Sequence, residues 1–252
     1  MHPLFDLSGK IAIVTGANTG LGQGIAIALA QAGADIAAVG RSAPDDTANG
    51  VRVAGRRFVW IEASLDTIAP VDAIVTGVEA KLGPVDILVN NAGTIRRADA
   101  LDFSEQDWDA VLGVNLKTVF FLSQAVARSL VARKQAGKII NIASLLSFQG
   151  GIRVASYTAS KSGLLGLTRL LANEWAAKGI NVNAIAPGYF ETNNTEALRQ
   201  DESRQRAILE RIPAGRWGVP GDLAGAAVFL ASKASDYVHG AVLPVDGGWL
   251  AR

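Results

Sequence analysis

The sequence predicts an α/β fold: a doubly wound parallel sheet with helices on both faces, in a single domain spanning residues 1–252. Three observations predict it. Short apolar runs alternate with helical patterns from Lys10 to Asp246. The runs are rich in β-branched residues, as suits strands buried on both faces. No linker or internal repeat divides the chain, and 252 residues are enough for one large domain with a full core.

The elements follow in order. Ile11-Ala12-Ile13-Val14 reads as a buried first strand. It leads into Thr15-Gly16-Ala17-Asn18-Thr19-Gly20-Leu21-Gly22, a glycine turn. An Ala/Leu/Ile pattern from Gly20 to Gln31, closed by Gly33, reads as a helix with a glycine stop. Such a turn lets backbone N–H groups approach a pyrophosphate, whose charge the helix N-terminus favours. Ile36–Val39 is the second strand and ends at Gly40-Arg41. Residues 42–55 are polar and aperiodic, and predict a loop with a short or weak helix. Val85–Val89 is a fourth strand, ending in Asn90-Asn91-Ala92-Gly93. Small and amide residues there suit a backbone lying against a flat ligand. Asn115 falls within a helical pattern, where Asn competes for backbone bonds. It is either an exposed helical Asn or a local irregularity. Lys138–Ala143 is another buried strand, followed by Ser144. Tyr157 and Lys161 then sit four residues apart on one face of a helix. An ammonium beside a phenol favours the phenolate, so the pair predicts a tyrosine with a lowered pKa, fit to move a proton. The strand Ile180–Ile185 precedes Pro187-Gly188 and Thr192.

Composition narrows the chemistry. Hydrophobic residues make up 49% and charged residues 19%, and the formal net charge of +1 gives no electrostatic case for nucleic acid or a membrane surface. No apolar run looks long enough to span a membrane. Met1–Asp6 lacks the blocks of a signal peptide, so a cytoplasmic location is the expectation. The absence of cysteine excludes disulfides and thiol catalysis. His2 and His239 have no ligand spacing, and no metal is expected.

Taken together, Thr15-Gly16-x3-Gly20-x-Gly22, Asn90-Asn91-Ala92-Gly93, Asn115, Ser144, Tyr157-x3-Lys161, Pro187-Gly188-x3-Thr192 and Asp246-Gly247-Gly248 resemble the short-chain dehydrogenase/reductase family, in order and spacing, over essentially the whole chain. Further strings resemble its branch acting on sugar acids of the 2-dehydro-3-deoxy-D-gluconate and 2-deoxy-D-gluconate type. These are Thr19–Gly24, Ile95-Arg96-Arg97, Ser147–Arg153, Ala186–Tyr189, Thr192–Thr195 and Gly248–Arg252.

The resemblance implies a Rossmann-type fold with a catalytic set of Asn115, Ser144, Tyr157 and Lys161. Ser144 would hold the substrate oxygen beside Tyr157, and the thirteen-residue interval favours it over Ser147. Lys161 would also contact the nicotinamide ribose, and Asn115 would hold a water to Lys161. Cofactor contacts would come from Gly16, Asn18, Thr19, Gly20, Leu21, Gly22, Arg41, Ser64, Leu65, Asn91, Ala92, Gly93, Tyr157, Lys161, Pro187, Gly188 and Thr192. Ser64 departs from the family, which usually has an Asp there for the adenine.

The cofactor is NAD or NADP. No acid stands at the end of the second strand and Arg41 follows it, which leans toward NADP; the branch resemblance leans toward NAD. Arg97, Gln149, Arg153, Tyr189 and Asn194 are the substrate candidates, with Arg96 beside them. Arginine suits a bidentate carboxylate contact, and charges and amides suit a small sugar acid better than a fatty-acyl or steroid substrate. The expected activity is ketone–alcohol interconversion on a sugar acid. The alternatives are a 3-oxoacyl-carrier-protein reductase and a non-catalytic dinucleotide sensor. Relatives are commonly homotetramers, and Val119–Val131 and Leu164–Trp175 are the candidate interfaces.

Overall fold

The computed structural model describes residues 2–252; the side chain of Asn194, one of the substrate candidates, lies outside the described residues. Seven parallel strands form one sheet: β1 (Ile11–Thr15), β2 (Asp35–Gly40), β3 (Phe58–Glu62), β4 (Ile87–Asn90), β5 (Gly137–Ile142), β6 (Ile180–Pro187) and β7 (Val242–Val245). Their order is β3-β2-β1-β4-β5-β6-β7. The order reverses between β1 and β4, and ligands bind such sheets at the carboxyl ends of the strands beside that point.

Both faces of the sheet are covered, as the apolar strands require. In β1, Ala12 and Val14 face one core with Ile25 and Leu29 of α1 (Gly20–Gln31) and with Leu230 of the final long helix (Ala224–Ala231). Ile11 and Ile13 face the other core. There they join Ile74 and Val78 from a helix over Val71–Lys81, and Leu122, Val126 and Leu130 from one over Thr118–Ala132. Period-two side-chain alternation thus feeds two apolar layers.

Most of the expected elements form where the sequence predicts them. The first helix spans Gly20–Gln31 as expected. The polar stretch after Arg41 does hold a helix, α2 (Asp45–Val53). Asp45 and Asp46 sit in its first turn and Arg52 in its last, each charge complementing the helix dipole. Buried Thr47 donates to the Ala17 carbonyl at 2.6 Å, docking α2 on the glycine turn. The fourth strand starts at Ile87 rather than Val85, just after Asp86, whose carboxylate accepts from the Ile11 amide at 3.0 Å.

One expectation is corrected. The helix over Glu105–Leu112, a π-helical turn over Gly113–Lys117 and the helix over Thr118–Ala132 run on without a break. By length and composition alone this run is long and apolar enough to cross a membrane. Here its inner face instead supplies the second core, through Leu122, Val126 and Leu130.

A smaller third core lies beyond the sheet. Leu145, Ile208, Ile212, Trp217 and Trp249 pack together with Tyr189 against them. It is built around a helix over Glu202–Leu209, which Asp201 caps by accepting from the Arg204 amide at 3.0 Å.

Candidate active site

The glycine turn is shaped by contact. A Cβ on Gly22 would lie 2.2 Å from the Gly16 carbonyl oxygen and 2.4 Å from Asn91 Nδ2. Gly16 itself needs a positive φ of 65°. Asn91 locks the turn by donating through Nδ2 to the carbonyls of Thr15 (2.9 Å) and Gly16 (3.1 Å). Thr15 Oγ1 accepts in return from the amides of Asn91 (3.0 Å) and Ala92 (2.9 Å). Asn90, by contrast, turns inward: its amide donates to Ser123 and Asn141 within the core.

Thr19, at the N-cap of α1, makes no side-chain cap bond. The helix therefore offers its first N–H groups, beside a cradle that only glycines leave open, and these features fit a dinucleotide pyrophosphate. Asn18 and Leu21 flank the turn, half-buried. Of the residues that the resemblance assigns to the adenine end, Arg41 is exposed, Ser64 is half-buried and Leu65 is buried. At the other end the chain after β6 crosses over the turn. Gly188 N–H donates to the Val245 carbonyl at 2.9 Å, following Pro187, and Thr192 Cγ2 would lie 3.3 Å from a Cβ on Gly20. The residues present fit the cofactor that the resemblance implies.

The four proposed catalytic residues converge from three elements. Tyr157 and Lys161 lie on a helix over Ala155–Trp175, Ser144 directly follows β5, and Asn115 sits in the π turn. Asn115 is fully buried and its irregularity is the π turn itself. Its Oδ1 accepts from the Thr94 amide at 2.9 Å, and its Nδ2 donates to the Thr94 carbonyl at 2.9 Å and to Ser160 Oγ at 3.2 Å. It fastens the segment after Gly93 to the Tyr157/Lys161 helix. Ser147 is occupied elsewhere, donating to the Lys161 carbonyl at 2.7 Å. Ser144 stands beside the Tyr157 phenol.

The expected effect of the lysine on the tyrosine is not seen. Burial pushes the Tyr157 phenol above its usual range, with the Ser144 hydroxyl and the Arg97 guanidinium pulling against it. Lys161 Nζ lies 5.7 Å from the ring centroid and is spent on the Ile142 carbonyl at 2.6 Å. Its own burial lowers its pKa to about 8. Between pH 8 and 10.5 the unfolded chain thus holds a proton on this lysine that the folded, cofactor-free protein does not. The contribution of Lys161 to stability then rises with pH across that window. Relative to Lys161→Met, the wild type should gain about 3 kcal/mol from pH 8 to 10.5, read from denaturant melts. A constant difference between the two proteins would rule this out.

The arginines separate sharply. Arg96 Nε pairs with Asp107 at 3.3 Å, and Arg153 Nε pairs with Asp99 at 3.2 Å. Arg97 is exposed, has no ion-pair partner among the described residues, and acts on Tyr157. Gln149 Oε1 accepts from Arg211 and from Trp249 Nε1, each at 3.3 Å. Tyr189 packs on Trp249, with ring centroids 4.7 Å apart, and on Trp217 at 5.5 Å. Arg211 escaped the sequence reading, because nothing local marks it. Trp249 was legible only as part of the C-terminal string.

This site, on this fold, defines a class. Residues 16–250 match a family model described as Enoyl-(Acyl carrier protein) reductase, and the chain belongs to the short-chain dehydrogenase/reductase family. Among its relatives, the 2-dehydro-3-deoxy-D-gluconate 5-dehydrogenase of Escherichia coli (strain K12) is 61% identical over 248 residues, with 98% of each chain covered. The enzyme of that name from Dickeya dadantii (strain 3937) is 60% identical, also with 98% of each covered. A crystal structure from Agrobacterium tumefaciens, provisionally named a 2-deoxy-D-gluconate 3-dehydrogenase and holding NADP, is 62% identical. It covers 100% of both chains at a TM-score of 0.94.

Proposed function

We propose that the protein is an NAD(P)-dependent oxidoreductase interconverting a ketone and a secondary alcohol on a sugar acid of the 2-dehydro-3-deoxy-D-gluconate or 2-deoxy-D-gluconate type. The observation that carries this reading is the convergence of Ser144, Tyr157 and Lys161 beside the glycine turn, in a chain 61% identical to an enzyme of that name. In the reductive direction Ser144 positions the carbonyl oxygen and Tyr157 gives it a proton. The raised phenol pKa keeps that proton in place at neutral pH. A bound nicotinamide supplies the hydride. Lys161, buried behind the ring, is assigned the ribose hydroxyls, and Asn115 the water beside Lys161. Arg97 is the cation best placed to meet the substrate carboxylate, since Arg96 and Arg153 are already paired.

The acyl-carrier reading would call for an apolar wall, whereas this mouth carries Arg97, Arg153 and Gln149. Keto-sugar acids should therefore support NADPH oxidation, and acetoacetyl thioesters should not. Turnover of the thioesters alone would overturn the assignment. Arg41, next to a strand end without an acid, is assigned the 2′-phosphate, in line with the NADP held by the Agrobacterium tumefaciens relative. Arg41→Ala should lower the NADP/NAD ratio of kcat/KM by about tenfold. An unchanged ratio would mean that Arg41 does not read the phosphate.

We also assign a cytoplasmic location and a homotetramer. The apolar groove between the two long helices supports self-association, through Phe120, Phe121, Leu167 and the exposed Leu170. Sedimentation of the purified protein tests this.

A further inference from the structure

A single side-chain oxygen ties three distant segments together. Gln149, in the turn after Ser144, accepts through Oε1 from Arg211 at the end of the Glu202–Leu209 helix and from Trp249 in the C-terminal turn. Arg211 also stacks on the Trp249 ring, with its guanidinium carbon 4.1 Å from the centroid. Trp249 is buried and held from behind, since Asp246 accepts from the amides of Gly248 (2.8 Å) and Leu250 (2.9 Å).

Both groups on Oε1 are donors only: a guanidinium and an indole N–H. Two donors on one end of an amide fix which end is which. The oxygen of Gln149 is thereby committed, and its Nε2 is left as the open end, with no partner among the described residues. From this we infer that Arg211 and Trp249 are positioning residues that set the Gln149 amide so that it meets the substrate only as a hydrogen-bond donor. Such an amide favours ligands that present oxygen acceptors, a carboxylate above all, and gains nothing from an acyl chain. The inference rests on the sugar-acid reading for its substrate, but not for the clasp itself.

Gln149→Glu is the discriminating variant. A carboxylate keeps an oxygen for Arg211 and Trp249 while replacing the donor with a negative acceptor. Its KM for 2-dehydro-3-deoxy-D-gluconate should rise at least about tenfold, with melting temperature and NADPH dissociation constant unchanged. Arg211→Met should raise KM several-fold and speed hydrogen exchange at the Trp249 indole N–H, and Arg211→Lys should recover part of both. A purely structural role for Arg211 would lower the melting temperature and NADPH affinity together and leave KM unmoved.

Wild-type KM in Gln149→Glu overturns the donor assignment. Wild-type indole exchange in Arg211→Met overturns the clasp. If the unaltered protein turns over no keto-sugar acid, the substrate half falls with the sugar-acid reading. The exchange experiment needs no substrate and still decides the clasp.

Discussion

Tyr157→Phe is expected to lower kcat at least about 10²-fold while NADPH still binds. The change removes one oxygen and leaves the ring, which lies 5.7 Å from Lys161 Nζ at its centroid. The loss should be large because no other acid is available at this point. Ser147 gives its proton to the Lys161 carbonyl, and Lys161 donates to that of Ile142. Ser144 has a hydroxyl, but a serine is a far weaker proton donor than a phenol. Single-turnover reduction of a keto-sugar acid, with NADPH binding measured separately by fluorescence, checks the prediction. Near-normal turnover would remove Tyr157 from the mechanism.

Gly22→Ala should be almost as damaging, through a different route. Gly22 lies inside α1 at an ordinary helical φ, so backbone conformation is no obstacle. The obstacle is the Gly16 carbonyl oxygen, 2.2 Å from where the methyl would stand, with Asn91 Nδ2 at 2.4 Å. The carbonyl belongs to the backbone and the amide is held by two bonds, so the turn must open. Overpacking of this kind costs about 1–3 kcal/mol, or roughly 3–10 °C in melting temperature for a domain of this size. NADPH affinity should fall at least about tenfold as the N–H groups move off their positions. Gly225→Ala is the control, because a methyl there meets open space within a helix. Equal behaviour of the two variants would show that the close approach does not matter.

The parts legible in the sequence are those written in short range. The bounds of α1 follow from a local apolar period and a glycine stop, and the glycine turn from its spacing. Asn115 was legible as a misfit in a helix because the misfit is a property of one residue and its neighbours. What the sequence hides is depth and distance. Lys161 sits one turn from Tyr157, which suggests a charge effect between them; burial dominates instead, and burial is set by the sheet and helices around the pair. The partners of Gln149 lie 62 and 100 residues away, with no pattern linking them. The pairing of Arg96 with Asp107 and of Arg153 with Asp99 is likewise a matter of side-chain reach across a loop. The helical run from Glu105 to Ala132 shows no membrane-length apolar stretch in the sequence because its continuity passes through a π turn at Gly113–Lys117, which holds the polar Asn115 and Lys117.

The central position of β1 has a consequence for how the chain is made. β1 pairs with β2 on one side and with β4 on the other, Ile13 facing Ala37 and Leu88. During synthesis β1, β2 and β3 can assemble as soon as residue 62 is free, but the opposite edge of β1 waits for Ile87–Asn90. Until then it offers Ile11–Thr15, wholly buried in the finished fold, as an open row of hydrogen-bonding groups. Late-arriving partners of this kind slow folding and expose nascent chains to one another. A ribosome-bound chain stalled between the emergence of β3 and that of β4 therefore carries the sheet's central strand with one edge unpaired.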